Sequence, residues 1–327
     1  MRCRRGCTLT NVLTLVQEQA VEHSCSVVIP TCGRPAELDR CLGAVADQDY
    51  RNFDVIVVDN SDGNIETRRV AERWRARYVV EPKRGLCRAR NRGALVSSAD
   101  IIAYLDDDAV PEPGWLAGLA RQFDDPLVMG ASGRTVPLKV ETESEQLFAR
   151  VRGSAYNRSS ELKIDRSNPY WFEICGFGGI GPGCNMAVRR KAFEVWPGFH
   201  ERTDRGTPLY GGGEQHAFFS LVDLGYRVAY TPDATVRHPF PPTMDVLRSR
   251  HLRDLTASTA YFTMLLVEGR NHRVSTLKYL LEAIRGKRRT WRGAPESRPR
   301  IVSPARRLGA LLLGPIRYIQ GVLSTES

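Results

Sequence analysis

Three short apolar runs punctuate the first third of the chain: SVVIP at 26–30, FDVIVVD at 53–59 and IIAYLDDD at 101–108. Continuous apolar runs of this length, closed by turn residues, predict strands buried on both faces. Between the first two, Leu38, Cys41, Leu42 and Val45 recur at helical spacing, and Pro35 suits a first helical turn. Asn60-Ser61-Asp62-Gly63 reads as a turn. A polar helix over 64–75, a strand at Arg77–Val80 and a helix from about Gly85 to Ser97 follow. Strands alternating with helices predict an α/β fold with a mostly parallel sheet and flanking helices. Such sheets bind ligands beyond the carboxyl ends of their strands, where Asp59 and Asp106–Asp108 fall.

The second half is less regular. Residues 139–170 alternate in charge with few periodic apolar positions. GFGGIGPGCN (176–185) is a glycine-rich loop leading into a strand and helix, MAVRRKAFEVW. GTPLYGGGEQ (206–215) precedes a helix reaching Leu224, followed by RVAYTPDATVRHP. Beyond Asp245 the pattern predicts helices over 246–268 and 274–285. A linker rich in Pro, Arg and Gly spans 286–304, and an amphipathic segment covers 305–323 with Pro315 expected to kink it. The expected organisation is an N-terminal extension (1–24), an α/β domain (25–245, with a change of pattern at 138/139) and a basic helical tail (246–327). No run approaches ~18 apolar residues, so no membrane-spanning helix is expected. The apolar stretch near the N-terminus is broken by Thr10, Asn11 and Thr14, unlike a signal peptide.

Charge changes this picture in one respect. The 327 residues carry a formal charge of +10, yet residues 246–327 hold 16 Lys and Arg against 5 Asp and Glu. The remaining body is therefore almost neutral, which argues against a uniformly basic nucleic-acid binder; the tail carries no recognisable binding motif for nucleic acid. Its Lys287, Arg288, Arg289, Arg292, Arg306, Arg307 and Arg317 accompany Leu308, Leu311, Leu312, Ile316, Ile319 and Leu323. Basic residues beside an apolar face suit an anionic membrane surface, and a solvated helical extension is the plainer alternative. The eight cysteines include no CxxC pair and no zinc-like Cys/His spacing, so free thiols in a reducing cytoplasm are expected.

The triplet Asp106-Asp107-Asp108 is the strongest local signal. In extended backbone, residues 106 and 108 project to one side and 107 to the other. Carboxylates at alternate positions can share a hard divalent cation, and crowded acids need one to stay ionised. A solvated acidic turn is the competing reading.

Six segments extend the pattern in order: VVIPTCGRPAELDRCLGAV, VIVVDNSDG, RGLCRARNRGA, YLDDDAVPEPGWL, GPGCNMAVRRKAF and GGGE…LGYRVAYTP…H. Together, over 25 to about 240, they resemble the family-two glycosyltransferases of GT-A fold, which move a sugar from a nucleotide-sugar donor. The resemblance implies that Pro30, Thr31, Arg34, Asp59 and Arg84, with Lys83, line the donor pocket, and that Asp107 meets the ribose or the metal shell. It implies Mn²⁺ or Mg²⁺ on Asp106 and Asp108, with His238 as a further ligand or an ordinary structural histidine, and Asn185 on the acceptor side. Arg88, Arg90 and Arg92 read as donor contacts or as a solvated basic face. The family takes its general base from a Glu-Asp pair; here Glu214 is followed by Gln215, and a neutral amide cannot accept the proton. Glu214 is the expected base, with His216 in reserve. The expected function is metal-dependent, inverting transfer to a glycan or lipid-linked acceptor in cell-envelope polysaccharide synthesis, at the inner face of the membrane. The Gln215 departure leaves a nucleotide-sugar-binding pseudoenzyme as the alternative.

Overall fold

A computed structural model describes residues 22–156, 158–285 and 301–324 of the chain. The extension over 1–21 and the linker over 286–300, with Lys287, Arg288, Arg289 and Arg292, lie outside the described residues. In chain order the elements are β1 (Cys25–Thr31), α1 (Pro35–Ala46), β2 (Phe53–Asp59), α2 (Ile65–Arg73), β3 (Arg77–Val80) and α3 (Leu86–Val96). Next come β4 (Ile101–Leu105), β5 (Val110–Pro111), α4 (Trp115–Arg121), β6 (Val128–Pro137), α5 (Glu143–Tyr156), β7 (Leu162–Ile164) and α6 (Trp171–Gly176). The chain closes with β8 (Asn185–Arg189), α7 (Gly213–Asp223), β9 (Arg227–His238), α8 (Met244–Val267), α9 (Arg273–Ile284) and α10 (Pro304–Leu323).

The strands form one sheet in the order β3-β2-β1-β4-β8-β6-β9-β5, with β7 also bonded to β9. The first half is parallel, as alternation of strand and helix requires. The second half is mixed: β8 runs antiparallel to both β4 and β6, while β6 and β9 are parallel. The sheet is thus less parallel than the periodicity suggests. The reason is local. The glycine-rich loop enters β8 beside the carboxyl end of β4, so the strand has to run back.

Successive residues of β1 serve opposite layers. Val27 and Ile29 pack with Leu38 and Leu42 of α1 and Trp115 of α4 on one face. Val28 joins Cys87 of α3, Phe218 and Leu221 of α7, and Ala260, Tyr261, Met264 and Leu265 of α8 on the other. The C-terminal helices are therefore layered onto the core rather than trailing from it. Thr243 caps α8 by accepting from the Val246 amide. Gly314 lets α10 close on α8, because a Cβ there would lie 1.9 Å from Thr259 Oγ1. Thr256 Oγ1 donates to the Ala310 carbonyl across the same seam.

Candidate active site

The parallel register levels the ends of β1 and β2 at Thr31 and Asp59, and β4 ends beside them at Leu105. Directly beyond β4, Asp107 turns toward β1 and α1. Thr31 Oγ1 donates to its Oδ2 at 2.7 Å, and Arg34, at the N-terminus of α1, pairs with both of its oxygens. Burial pushes the Asp107 carboxyl up to about 6, against the opposing pull of Arg34 and Thr31. Asp106 and Asp108 instead face His238, at 3.9 and 3.2 Å from its Nε2. Arg34 Nη1 also donates to Asp108, at 2.9 Å. Burial would raise the Asp108 carboxyl, but His238 and Arg34 outweigh it and hold it well below the usual range.

Two further strands complete this corner. His238 ends β9 opposite Pro137 of β6. Asn185 pairs with Leu105, so antiparallel β8 brings Cys184 beside Asp106. Ligand atoms of Asp106, Cys184 and His238 lie within 4.8 Å of one another, and all three residues are buried. His238 Nδ1 donates to the Pro239 carbonyl, which leaves Nε2 for a ligand role. Asp108 Oδ1 is buried and, Nε2 of His238 aside, has no partner among the described residues. The converging Asp106, Cys184 and His238 fit a divalent cation, whereas Asp108, paired with His238 and Arg34, is outside both that group and the lining of the cavity that holds Glu214. The thiol of Cys184 is the unexpected member, and it could be read only from the pairing of β4 with β8.

Glu214 stands in the first turn of α7. The turn before it depends on glycine: Gly212 has φ +99°, and a Cβ on Gly213 would lie 2.6 Å from Cys87 Sγ. Glu214 shares a cavity of about 560 Å³ with Arg90, Asp106, Cys184, Asp204, Arg205, Gln215 and His238. Burial, then the charge of Asp204, pushes its carboxyl up to about 7, although Arg90 acts in the other direction. Arg90 is 2% exposed; it donates to Asp204 at 2.8 Å and to the Gly183 carbonyl at 3.0 Å, with Asp106 at 3.5 Å. It is thus neither a solvated face nor a free cation. Its place follows from helical spacing, since Cys87, Arg90 and Gly93 share the buried side of α3. Asp204, at φ +76°, and Arg205, whose guanidinium is held strongly protonated chiefly by Asp106, carry no sequence pattern that marks them.

His216 is outside the cavity lining. Its ring packs against His200 at 5.2 Å, and burial pushes it down to about 3. Asp59 Oδ1 accepts from the Ser61 amide and hydroxyl, and Oδ2 from the Asn64 amide and the Tyr78 hydroxyl. Nearby, Arg84 donates to the Asn60 carbonyl at 2.6 Å and Asn60 Oδ1 accepts from the Gly85 amide, joining this turn to the start of α3. Pro30 precedes Thr31 within β1, next to this turn. Asn185 is committed within the protein: it accepts from Trp115 Nε1 and donates to the Arg134 and Ala234 carbonyls. Trp196 is buried at 1% exposure, whereas Trp171 stacks on Phe219 and Tyr210 lies under Arg317.

The model of the family described as "Glycosyl transferase family 2" matches residues 26–196. An N-acetylglucosaminyltransferase of Rhizobium leguminosarum bv. viciae is 26% identical over 237 residues, 70% of this chain and 54% of its own. The chain therefore spans about half the length of that relative. The glycosyltransferase AglE of Haloferax volcanii is 27% identical over 235 residues, 69% of this chain and 70% of its own. Among solved structures, the mannosyltransferase PcManGT of Pyrobaculum calidifontis, in complex with GDP-Man and Mn²⁺, superposes with a TM-score of 0.54 at 18% identity, covering 92% of this chain and 74% of that one. S. aureus TarS (1–349) does so with a TM-score of 0.54 at 15% identity, covering 91% and 81%. These two likenesses speak for the GT-A fold, and with the match to more than half of its residues, the chain belongs to glycosyltransferase family 2.

Proposed function

We propose that the chain transfers a sugar from a nucleoside-diphosphate sugar to a hydroxyl acceptor, with inversion at the anomeric carbon. The observation that carries this reading is one cavity uniting the buried Glu214 carboxyl, which burial and Asp204 push up to about 7, with Asp106 and His238. In the proposed step the Glu214 carboxylate takes the acceptor hydroxyl proton as that oxygen bonds to the anomeric carbon. The bond from that carbon to the diphosphate breaks, and its electron pair leaves with the diphosphate. Asp106, Asp108 and His238 would hold Mn²⁺ or Mg²⁺, with the Cys184 thiol beside them available to a softer cation, and the bound ion would supply Lewis-acid stabilisation of the departing charge. Arg205, beside Asp106, adds a fixed positive charge on the same side. His216, facing His200 with a low proton affinity, supports Glu214 rather than itself as base. Asp59, Arg84, Pro30, Thr31 and Arg34 are assigned to the nucleotide, and Asp107 to the ribose side.

The named relatives use different sugars, so the donor is found by screening. Thermal shift against a panel of nucleotide sugars, with and without Mn²⁺, should show stabilisation by one donor that depends on the cation. Glu214→Gln should keep that shift and lose transfer; Asp108→Ala should lose its cation dependence. Undiminished transfer by both variants would remove the mechanism. A shift with no turnover in the parent chain would favour a binding pseudoenzyme. We also assign the chain to the cytoplasmic membrane surface, on the exposed Leu308, Leu312, Ile316 and Ile319 of α10 with Arg306, Arg307 and Arg317 alongside. Among the described residues no helix is long and apolar enough to cross a membrane, so the association proposed is peripheral.

A further inference from the structure

The cavity that holds Glu214 continues well past the metal corner. Part of its remaining wall is carbon, from Phe240 just after β9, Leu247 and Leu255 of α8 and Leu311 of α10, and Arg250 and Asp254 of α8 line it as well. A cavity serving only a water-soluble glycan would hold these carbon surfaces against water, at a hydrophobic cost. Within the same lining, Tyr261 of α8 is 1% exposed and its hydroxyl has no hydrogen-bond partner among the described residues. A buried phenol without a partner is costly and invites a ligand. Leu311 belongs to two surfaces. It lines the cavity, and at 38% exposure it also borders the apolar stripe on the outside of α10.

We propose that the acceptor is an amphiphile, its hydroxylated head held by Tyr261 near Glu214 and its apolar chain lying along Phe240, Leu247, Leu255 and Leu311. The head assignment rests on the glycosyl-transfer reading, whereas the apolar arm follows from the lining alone. A chain leaving past Leu311 emerges on the face of α10 that is already apolar, so the acceptor need not leave a lipid phase to reach Glu214.

The full chain is titrated with methyl, butyl, hexyl and octyl β-D-glucosides, each below its micelle concentration, by calorimetry. Affinity should rise roughly two- to fourfold per methylene from butyl to octyl. The double variant Leu255→Asn, Leu311→Asn should flatten the series. Leu311→Asn alone, at a partly exposed position, should lower its slope and serves if the double variant does not fold. Tyr261→Phe should weaken all four ligands by one common factor and leave the slope intact, the split expected of a group that touches only the head. A flat series in the parent chain, or a slope untouched by Leu311→Asn, overturns the proposal. Nucleotide-sugar thermal shift on the parent chain separates the two readings. A donor shift with a flat series sinks the amphiphile alone; a rising series without any donor shift leaves the apolar arm standing and removes glycosyl transfer.

Discussion

Glu214 combines two opposing local fields. The first turn of a helix favours a carboxylate, yet burial and Asp204 push its proton affinity up to about 7. A base must be ionised to act, so transfer should fall about tenfold per pH unit below that value and level off above it. Glu214→Gln should lower kcat by roughly 10²–10⁴-fold and abolish that pH limb. The same shift bears on stability. The folded carboxyl titrates above its ordinary 4.5, so its contribution is full at low pH and is lost as pH rises toward 7. Glu214→Gln should therefore melt higher than the parent at pH 8, with the gap closing toward pH 4.5; equal melting at both pH values would contradict the burial argument. Cys184 makes a separate prediction. A thiol among the ligands admits soft cations, so Cd²⁺ should give the ultraviolet charge-transfer band of a metal thiolate, and Cys184→Ser should abolish it. Absence of that band in the parent chain would exclude Cys184 from the donor set.

At the level of elements, the strands with uninterrupted apolar runs were legible because burial on both faces leaves an unambiguous pattern. The split along Asp106–Asp108 was readable for a different reason from the one expected: these residues form a turn closed by the Ala109 amide on the Asp106 carbonyl, not extended backbone. In that turn the outer two carboxylates meet His238 while the middle one meets Thr31 and Arg34. The helix α5 was not legible, since its charged residues mask a buried side that includes Phe148. Nor was the neighbourhood of Cys184, which depends on antiparallel pairing between strands some eighty residues apart. Arg90 shows a third limit. A cation on an apolar stripe looks misplaced until Asp204 and Asp106, from two distant loops, are seen around it. Removing one side of a buried pair strands the other, so Arg90→Leu should cost about 3–5 kcal/mol by denaturant unfolding. A loss below 1 kcal/mol would mean that water reaches Asp204 freely.

For the molecule as a whole, the charge asymmetry describes a surface and the packing describes a body, and the two have different boundaries. Most of the charge excess follows residue 245, but Ala260, Tyr261, Met264 and Leu265 belong to the same buried cluster as Val28 and Phe218. Truncation after Asp245 should therefore yield aggregated chain rather than a soluble enzyme with weaker membrane binding; a monomeric, cooperatively melting product would refute this. Membrane association is better tested by Ile316→Asp with Ile319→Asp, both more than half exposed. That variant should melt as the parent does and sediment less with anionic vesicles, while equal sedimentation would dismiss α10 as the contact.

The match to the family ends at residue 196, whereas Glu214 and Tyr261 lie beyond it on α7 and α8. On the reading proposed above, the groups that hold the donor and those that meet the recipient alternate along the chain: His238 of the metal corner follows Glu214, and Phe148 of the cavity wall precedes Cys184. Neither set can be exchanged as a block, because β9 is paired with β6 and α8 shares its core with β1, so a new recipient is better sought by single replacements around the cavity than by hybrids joined between β8 and α7.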